Sequence, residues 1–344
     1  MVANRLRRIS YAFMLVTLLL VGWLRLATPF ITVLFAYFAL CKLDLGRSRW
    51  FAVSLFLFLV LAIFYGFVLF TANALEAFPK IADTAIPSTI DFAQQRGIEL
   101  PFTDRGSLQA LAIETVKDEL RSVGNFAKIA SKQFLFVVIG LVVAVSLFVN
   151  SRLDLGRDKY ALKNNLYSLA SDEIMERFKS FYRSFETVMG AQLIISAINT
   201  ILTSLFVLLA ALPHAAVVVV VTFLCGLLPI LGNIISNTII VGIAFTVSPK
   251  MALLALVFLI VIHKLEYFLN SKIIGDRIKN PVWLTLLGLI LGERLMGIPG
   301  MILAPVVLHY IKVEMAKIEV PPRDRLPPPE DVLMEKPEQT LKVG

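Results

Sequence analysis

The sequence predicts an all-α fold, a polytopic helical membrane protein with full-length spans plus broken or re-entrant helical hairpins. Three observations carry that prediction. Of 344 residues, 58% are apolar and only 17% charged, against about 45–50% and about 25% in soluble domains, and the mean hydropathy is +0.79. The apolar residues fall into blocks of about 15–30 residues with almost no Asp, Glu, Lys or Arg, the length at which a helix crosses about 30 Å of hydrocarbon. Three of those blocks are interrupted near the middle by proline, glycine or charge, which is what interrupts a helix.

The first block, residues 9–40, follows Arg5, Arg7 and Arg8 and is broken over Arg25 to Pro29. No small-x-small cleavage site follows residue 24, and a second apolar run begins almost at once, so a membrane hairpin or two short tilted spans are expected rather than a cleaved signal peptide. Residues 50–78, 133–150, 189–212 and 251–270 are each long enough for a full span. Residues 215–247 and 282–311 are each broken, the former over Pro229 and Gly232, the latter over Glu293 to Gly300. Each half is then only about 14 residues, or about 21 Å. We therefore expect helical hairpins whose tips are buried in protein, where non-helical backbone can be satisfied.

This reading divides the chain into N-terminal membrane segments over 1–78, a small extracytoplasmic helical element over 79–132, a span over 133–150 and cytoplasmic interfacial helices over 151–188. A core membrane domain with two span-plus-hairpin units follows over 189–312, then a disordered cytoplasmic tail over 313–344. The order span then broken hairpin occurs twice, in 189–247 and 251–311, and by parity the second unit is inverted, which suggests an inverted repeat. Leu108, Leu111, Val116, Leu120, Val123 and Ala127 have amphipathic helical spacing. The apolar residues of 157–187 are set among charges, as in helices lying on the inner membrane surface, and the tail from Pro321 is rich in proline and charge.

The formal net charge of +8 sits at membrane flanks rather than in a nucleic-acid motif. Arg5, Arg7 and Arg8, then Lys42, Arg47 and Arg49, then Lys312, Lys317, Arg323 and Arg325 border apolar blocks, which puts both termini in the cytoplasm. No nucleic-acid partner is expected. Two cysteines, Cys41 and Cys225, build neither a disulfide framework nor a thiolate cluster, and His214, His263 and His309 lack metal-ligand spacing, so no metal or cofactor is expected. With no His-Glu-x-x-His and no Gly-x-Ser-x-Gly, an enzyme is disfavoured and no catalytic residue is assigned. The chain also lacks a phosphate-binding loop that could power a pump.

Polar residues inside apolar blocks are costly and usually face a bundle interior or an aqueous pathway. Gln192, Ser196, Asn199 and Thr203 recur at i, i+4, i+7 and i+11, one helix face. That stripe serves either helix-to-helix hydrogen bonding or a solute pathway. His263, Glu266 and Asn270 share a face of the 251–270 span, and Glu266 is taken as the only acidic residue near a span in the C-terminal half outside the hairpin tips. It is a candidate for proton or cation coupling, or with Lys264 and Lys272 an anchor at the inner headgroups. Pro229, Gly232, Asn233 and Asn237 at the first break, and Glu293, Arg294, Gly297 and Gly300 at the second, complete the candidate pathway. Broken helices present unpaired backbone groups at mid-membrane depth, as in many secondary transporters, although Glu293 and Arg294 would equally suit a surface loop or mutual pairing.

Gly190, Gln192, Asn199 and Thr203, then Leu228, Pro229 and Gly232, then Glu266 with Asn270 and Gly275, then Pro281 and the run from Gly292 through Gly297, Gly300 and Pro305 form an ordered set. It resembles the motif series of the autoinducer-2 exporter family of PerM-like permeases, departing from the family pattern at His263 and Ser271. The resemblance implies a multi-pass protein of the bacterial inner membrane and a homo-oligomer. It also implies a permease exporting a quorum-sensing signal or, alternatively, a sodium or potassium for proton antiporter. A non-transporting membrane scaffold is the remaining alternative. The expected partners are the lipid bilayer, a small solute or monovalent cation or proton, and further copies of the chain.

Overall fold

In a computed structural model of the chain, residues 2–46, 48–95, 97, 123–150, 165–228, 231–273 and 281–318 are described. Every regular element among them is a helix: α1 (Val2–Trp23), α2 (Ala27–Leu43), α3 (Arg49–Gln95), α4 (Val123–Val149), α5 (Leu166–Leu209), α6 (Ala215–Gly226), α7 (Leu231–Val247), α8 (Pro249–Ile273), α9 (Val282–Met296) and α10 (Ile298–Ala316). Five stretches, in α1, α3, α4, α5 and α10, are long and apolar enough to cross a membrane. The chain is a polytopic helical membrane protein.

The first interrupted block becomes two helices rather than a symmetric hairpin of short halves. α1 has 22 residues and so reaches about 33 Å, a full crossing. Arg25, in the left-handed region at φ +55°, turns the chain into α2, whose first helical residues include Pro29. A proline in a helix's first turn removes no hydrogen bond that the helix would make.

Several boundaries differ from those the sequence suggests: α4 begins at Val123 rather than at 133, and α10 runs on to Ala316, past the expected start of the tail at 313. α3 does not end at residue 78 but continues through Pro79 and Pro87 to Gln95, 47 residues in all. The expected break between interfacial helices and the span at residue 189 is absent, because α5 is one 44-residue helix. Nothing between 166 and 209 stops it: the segment has no proline and its single glycine is Gly190. Asn165 caps its start, the side-chain oxygen accepting from the Ser168 N–H at 2.8 Å. The amphipathic run from Leu108 to Leu120 and the proline-rich tail lie outside the described residues.

α5 divides the molecule. Its N-terminal half and middle carry Phe181, Phe185 and Met189 into a core with Met14 of α1, Leu34 of α2 and Val306 of α10. Its C-terminal half carries Val207 into a second core with Val218 of α6, Ile240 and Ile243 of α7 and Ala255 of α8. A third core joins α2, α3 and α4 through Leu40, Phe56 and Ala144. The two interrupted blocks therefore part company. The α6–α7 pair packs against α5 and α8, whereas the α9–α10 pair packs against α1, α2 and α5. At the α9–α10 junction Gly297 has φ +65° and ψ −148°, a conformation open essentially to glycine alone.

Candidate functional site

The polar stripe of α5 meets the end of α6 and the start of α7. Gln192 Nε2 donates to the Gly226 carbonyl at 2.6 Å, and Ser196 Oγ donates to the Phe223 carbonyl at 2.8 Å. Both acceptors belong to the last turn of α6, whose carbonyls have no partner within their own helix. In hydrocarbon such orphans are costly, so half of the stripe serves to close a broken helix. Gly232 makes the break narrow: a Cβ there would lie 1.6 Å from the Cys225 carbonyl oxygen, so any larger residue would force the α6 and α7 backbones apart.

One turn further along α5 the chemistry changes. Asn199, 7% exposed, donates its amide to Glu266 Oε2 at 3.1 Å. Asn233 of α7 donates to both Glu266 oxygens, at 3.1 and 3.0 Å. Three helices, α5, α7 and α8, thus converge on one half-buried carboxylate held by neutral amides. No Lys, Arg or His ion pair reaches Glu266 among the described residues. The Asn199 Oδ1 atom is buried without a hydrogen-bond partner. Thr203, the last member of the stripe, is buried at 2% exposure.

A cleft of about 890 Å³ runs along the α7–α8 seam beside this cluster, lined by Asn237, Thr238, His263 and Lys264 with apolar walls from Val241, Leu256, Leu259 and Ile260. Asn237 lies one helical turn beyond Asn233, and His263 one turn before Glu266. The His263 Nδ1 atom is 3.1 Å from the Leu259 carbonyl, which holds the ring against its own helix. Pro229 and the Asn270 side chain lie outside the described residues. Glu293 and Arg294 are exposed at the end of α9, and with Gly297 and Gly300 they sit on the α1 side of α5, so the structure does not bring them to Glu266.

A second carboxylate escaped the sequence reading. Glu314 of α10 is 3% exposed. It accepts from Arg177 and Ser180 of α5, from Tyr11 of α1 at 3.0 Å and from Lys317 at 2.7 Å. Arg177 also stacks over the Tyr11 ring, 4.9 Å from its centroid. Glu266 is therefore not the only acidic residue near a span in the C-terminal half. In sequence Glu314 does not stand out, because Lys312 and Lys317 on either side give it the look of a charged flank.

Membrane transport proteins are among those that place polar clusters where the helices of a multi-pass bundle meet. The chain belongs to the family described as AI-2E family transporter, whose model matches residues 8–319. It is similar to two proteins of Bacillus subtilis (strain 168). It is 30% identical over 199 residues to "Putative transport protein YdbI", covering 57% of this chain and 56% of that protein. It is 24% identical over 164 residues to "Putative transport protein YrrI", covering 46% of each. The chain thus spans about half the length of the curated relatives it matches.

Proposed function

We propose that this chain is a secondary permease that exports a small polar solute of the autoinducer-2 type, and that Glu266, Asn199 and Asn233 form the polar step of its pathway. The observation that carries the proposal is the convergence of a carboxylate and two amides from α5, α7 and α8 next to the α7–α8 cleft. Hydroxyl groups of a neutral solute can donate to the carboxylate and accept from the amides. The walls of the cleft are mostly apolar and offer few other hydrogen bonds, so those few select the solute. Gln192 and Ser196 position the α6 end, and Asn237 and His263 line the approach. The remaining pathway candidates, Glu293, Arg294, Gly297 and Gly300, would then act only through movement of α9–α10. The setting is the bacterial inner membrane with both termini in the cytoplasm, and the working form is a homo-oligomer.

One observation favours a second reading, sodium or potassium for proton antiport. Glu266 has no cationic partner among the described residues, and Asn199 Oδ1 is buried and unpartnered, so oxygen ligands for a hard cation are at hand. Proteoliposomes with an entrapped pH-sensitive dye separate the two. Labelled autoinducer-2 is supplied in one series, and sodium or potassium pulses in the other, for wild type and Glu266→Gln. Saturable movement of the labelled signal without a cation-dependent pH change supports export. A cation-dependent pH change lost in Glu266→Gln supports antiport. Folded, inserted protein that moves neither would leave a membrane scaffold and end the transport reading.

A further inference from the structure

A second cavity, about 850 Å³, is a groove between α1 and the α9–α10 pair, which pack with the N-terminal part of α5, away from the Glu266 cluster. Its walls are apolar: Leu15 to Trp23 of α1 on one side, and Leu291, Leu303 and Val307 among the residues of α9 and α10 on the other. Arg25 and Arg294 close one end. Both guanidinium groups are exposed, and neither takes part in an ion pair among the described residues. Glu293, the neighbour of Arg294, does not line the groove.

We propose that this groove binds an anionic phospholipid, with an acyl chain along α1 and the phosphodiester held between Arg25 and Arg294. Depth supports that occupant. From Leu15 to Trp23, where the helix ends, α1 rises about 12 Å, most of the hydrocarbon thickness of one leaflet, and Arg25 lies just beyond. Trp23, 80% exposed beside the arginines, marks the same end as headgroup level, where tryptophan collects. The end of α1 opposite Arg5, Arg7 and Arg8 therefore carries an apolar slot capped by two positive charges that have no ion pair among the described residues. An apolar partner helix would fill the slot but leave both arginines without an anion. An anionic lipid satisfies both parts.

The test uses the full-length protein with Trp50 and Trp283 replaced by phenylalanine, leaving Trp23 as the fluorophore. It is reconstituted in phosphatidylcholine vesicles doped with brominated phosphatidylglycerol or brominated phosphatidylcholine. A basic residue near the surface contributes about fivefold to the binding of an anionic lipid. Half-quenching of Trp23 is therefore expected at about 25-fold lower mole fraction of the anionic quencher. Arg25→Asn, chosen because asparagine tolerates the left-handed backbone at that position, and Arg294→Gln should each remove about fivefold, and together all of the preference. Equal quenching by the two lipids in the parent, or a preference that survives in the double variant, would overturn the proposal. So would disulfide-linked dimers of Leu19→Cys in the bilayer accompanied by loss of lipid quenching, since a second copy would then occupy the groove.

Discussion

Glu266 and Glu314 are two carboxylates buried to different degrees in one helical bundle, and their surroundings are opposite. Glu314 is held by Arg177, Ser180, Tyr11 and Lys317, so each acceptor site of the carboxylate is taken by a donor and its charge is balanced. Glu266 is held by Asn199 and Asn233 only, with its charge unbalanced among the described residues. The first arrangement fixes three helices, α1, α5 and α10. The second leaves a charge that a proton, a cation or a solute hydroxyl can answer. One carboxylate is thus tied into the packing of three helices and the other is the one we propose for transport, and the difference lies in the partners rather than in the residue type.

The largest effect expected from this contrast is on stability. Arg177→Ala leaves Glu314 buried without its arginine, and breaking a buried pair from one side costs about 3–5 kcal/mol. Unfolding in mixed detergent micelles measures it. Replacing both partners, Arg177→Met with Glu314→Leu, should recover most of that loss, because neither charge is then stranded and Lys317, 44% exposed at its side chain, can turn to water. If Arg177→Ala unfolds no more readily than wild type, Glu314 is not the fixed member of the pair.

Next comes the closure of α6. Gln192→Leu removes the donor from the Gly226 carbonyl and should cost about 1–2 kcal/mol, with transport lowered because the α6–α7 break loosens beside Asn233. The same unfolding measurement checks the first part and solute flux the second. A loss of flux with unchanged stability would instead put Gln192 in contact with the solute.

Much of this was legible in the sequence, and the exceptions have physical causes. Hydropathy gave the membrane class, and the 3.6-residue period gave the stripe from Gln192 to Thr203, because polar groups in hydrocarbon are too costly to sit at random. Glu266 stood out for the same reason. The continuity of α5 was missed because charges over 166–187 read as a surface helix, although the absence of proline and the lone glycine at Gly190 were available signals. The Arg177–Glu314 pair was not legible, since 137 residues separate its members and a charge at a helix end looks like an ordinary flank. The side on which α9–α10 packs was equally hidden, because hydropathy gives the depth of a segment and not its neighbour.

Glu266→Gln sharpens the contrast from the other side. Among the described residues no cation loses its partner, and the two asparagines can reorient their amides toward a neutral side chain. Stability should therefore change by no more than about 1 kcal/mol while flux changes in the manner set out for the proteoliposomes. A destabilisation as large as that of Arg177→Ala would place Glu266 with Glu314 as an assembly residue and break the comparison.

The smallest effect belongs to a third carboxylate, Glu186, paired with Lys42 at 2.8 Å with side chains 37% and 60% exposed. It sits on α5 six residues beyond Ser180, so it shares a helix with the Glu314 network and differs from it in exposure. An exposed pair gains little, because water already solvates both charges and screens their attraction. Lys42→Gln should therefore leave the unfolding midpoint nearly unchanged, and raising the salt concentration should remove whatever difference remains. The Arg177→Ala loss should persist in the same salt, because burial shields that pair from the ions. A salt response of equal size in both variants would mean that water reaches Glu314, and the distinction between a fixed and an answerable carboxylate would have to be drawn elsewhere.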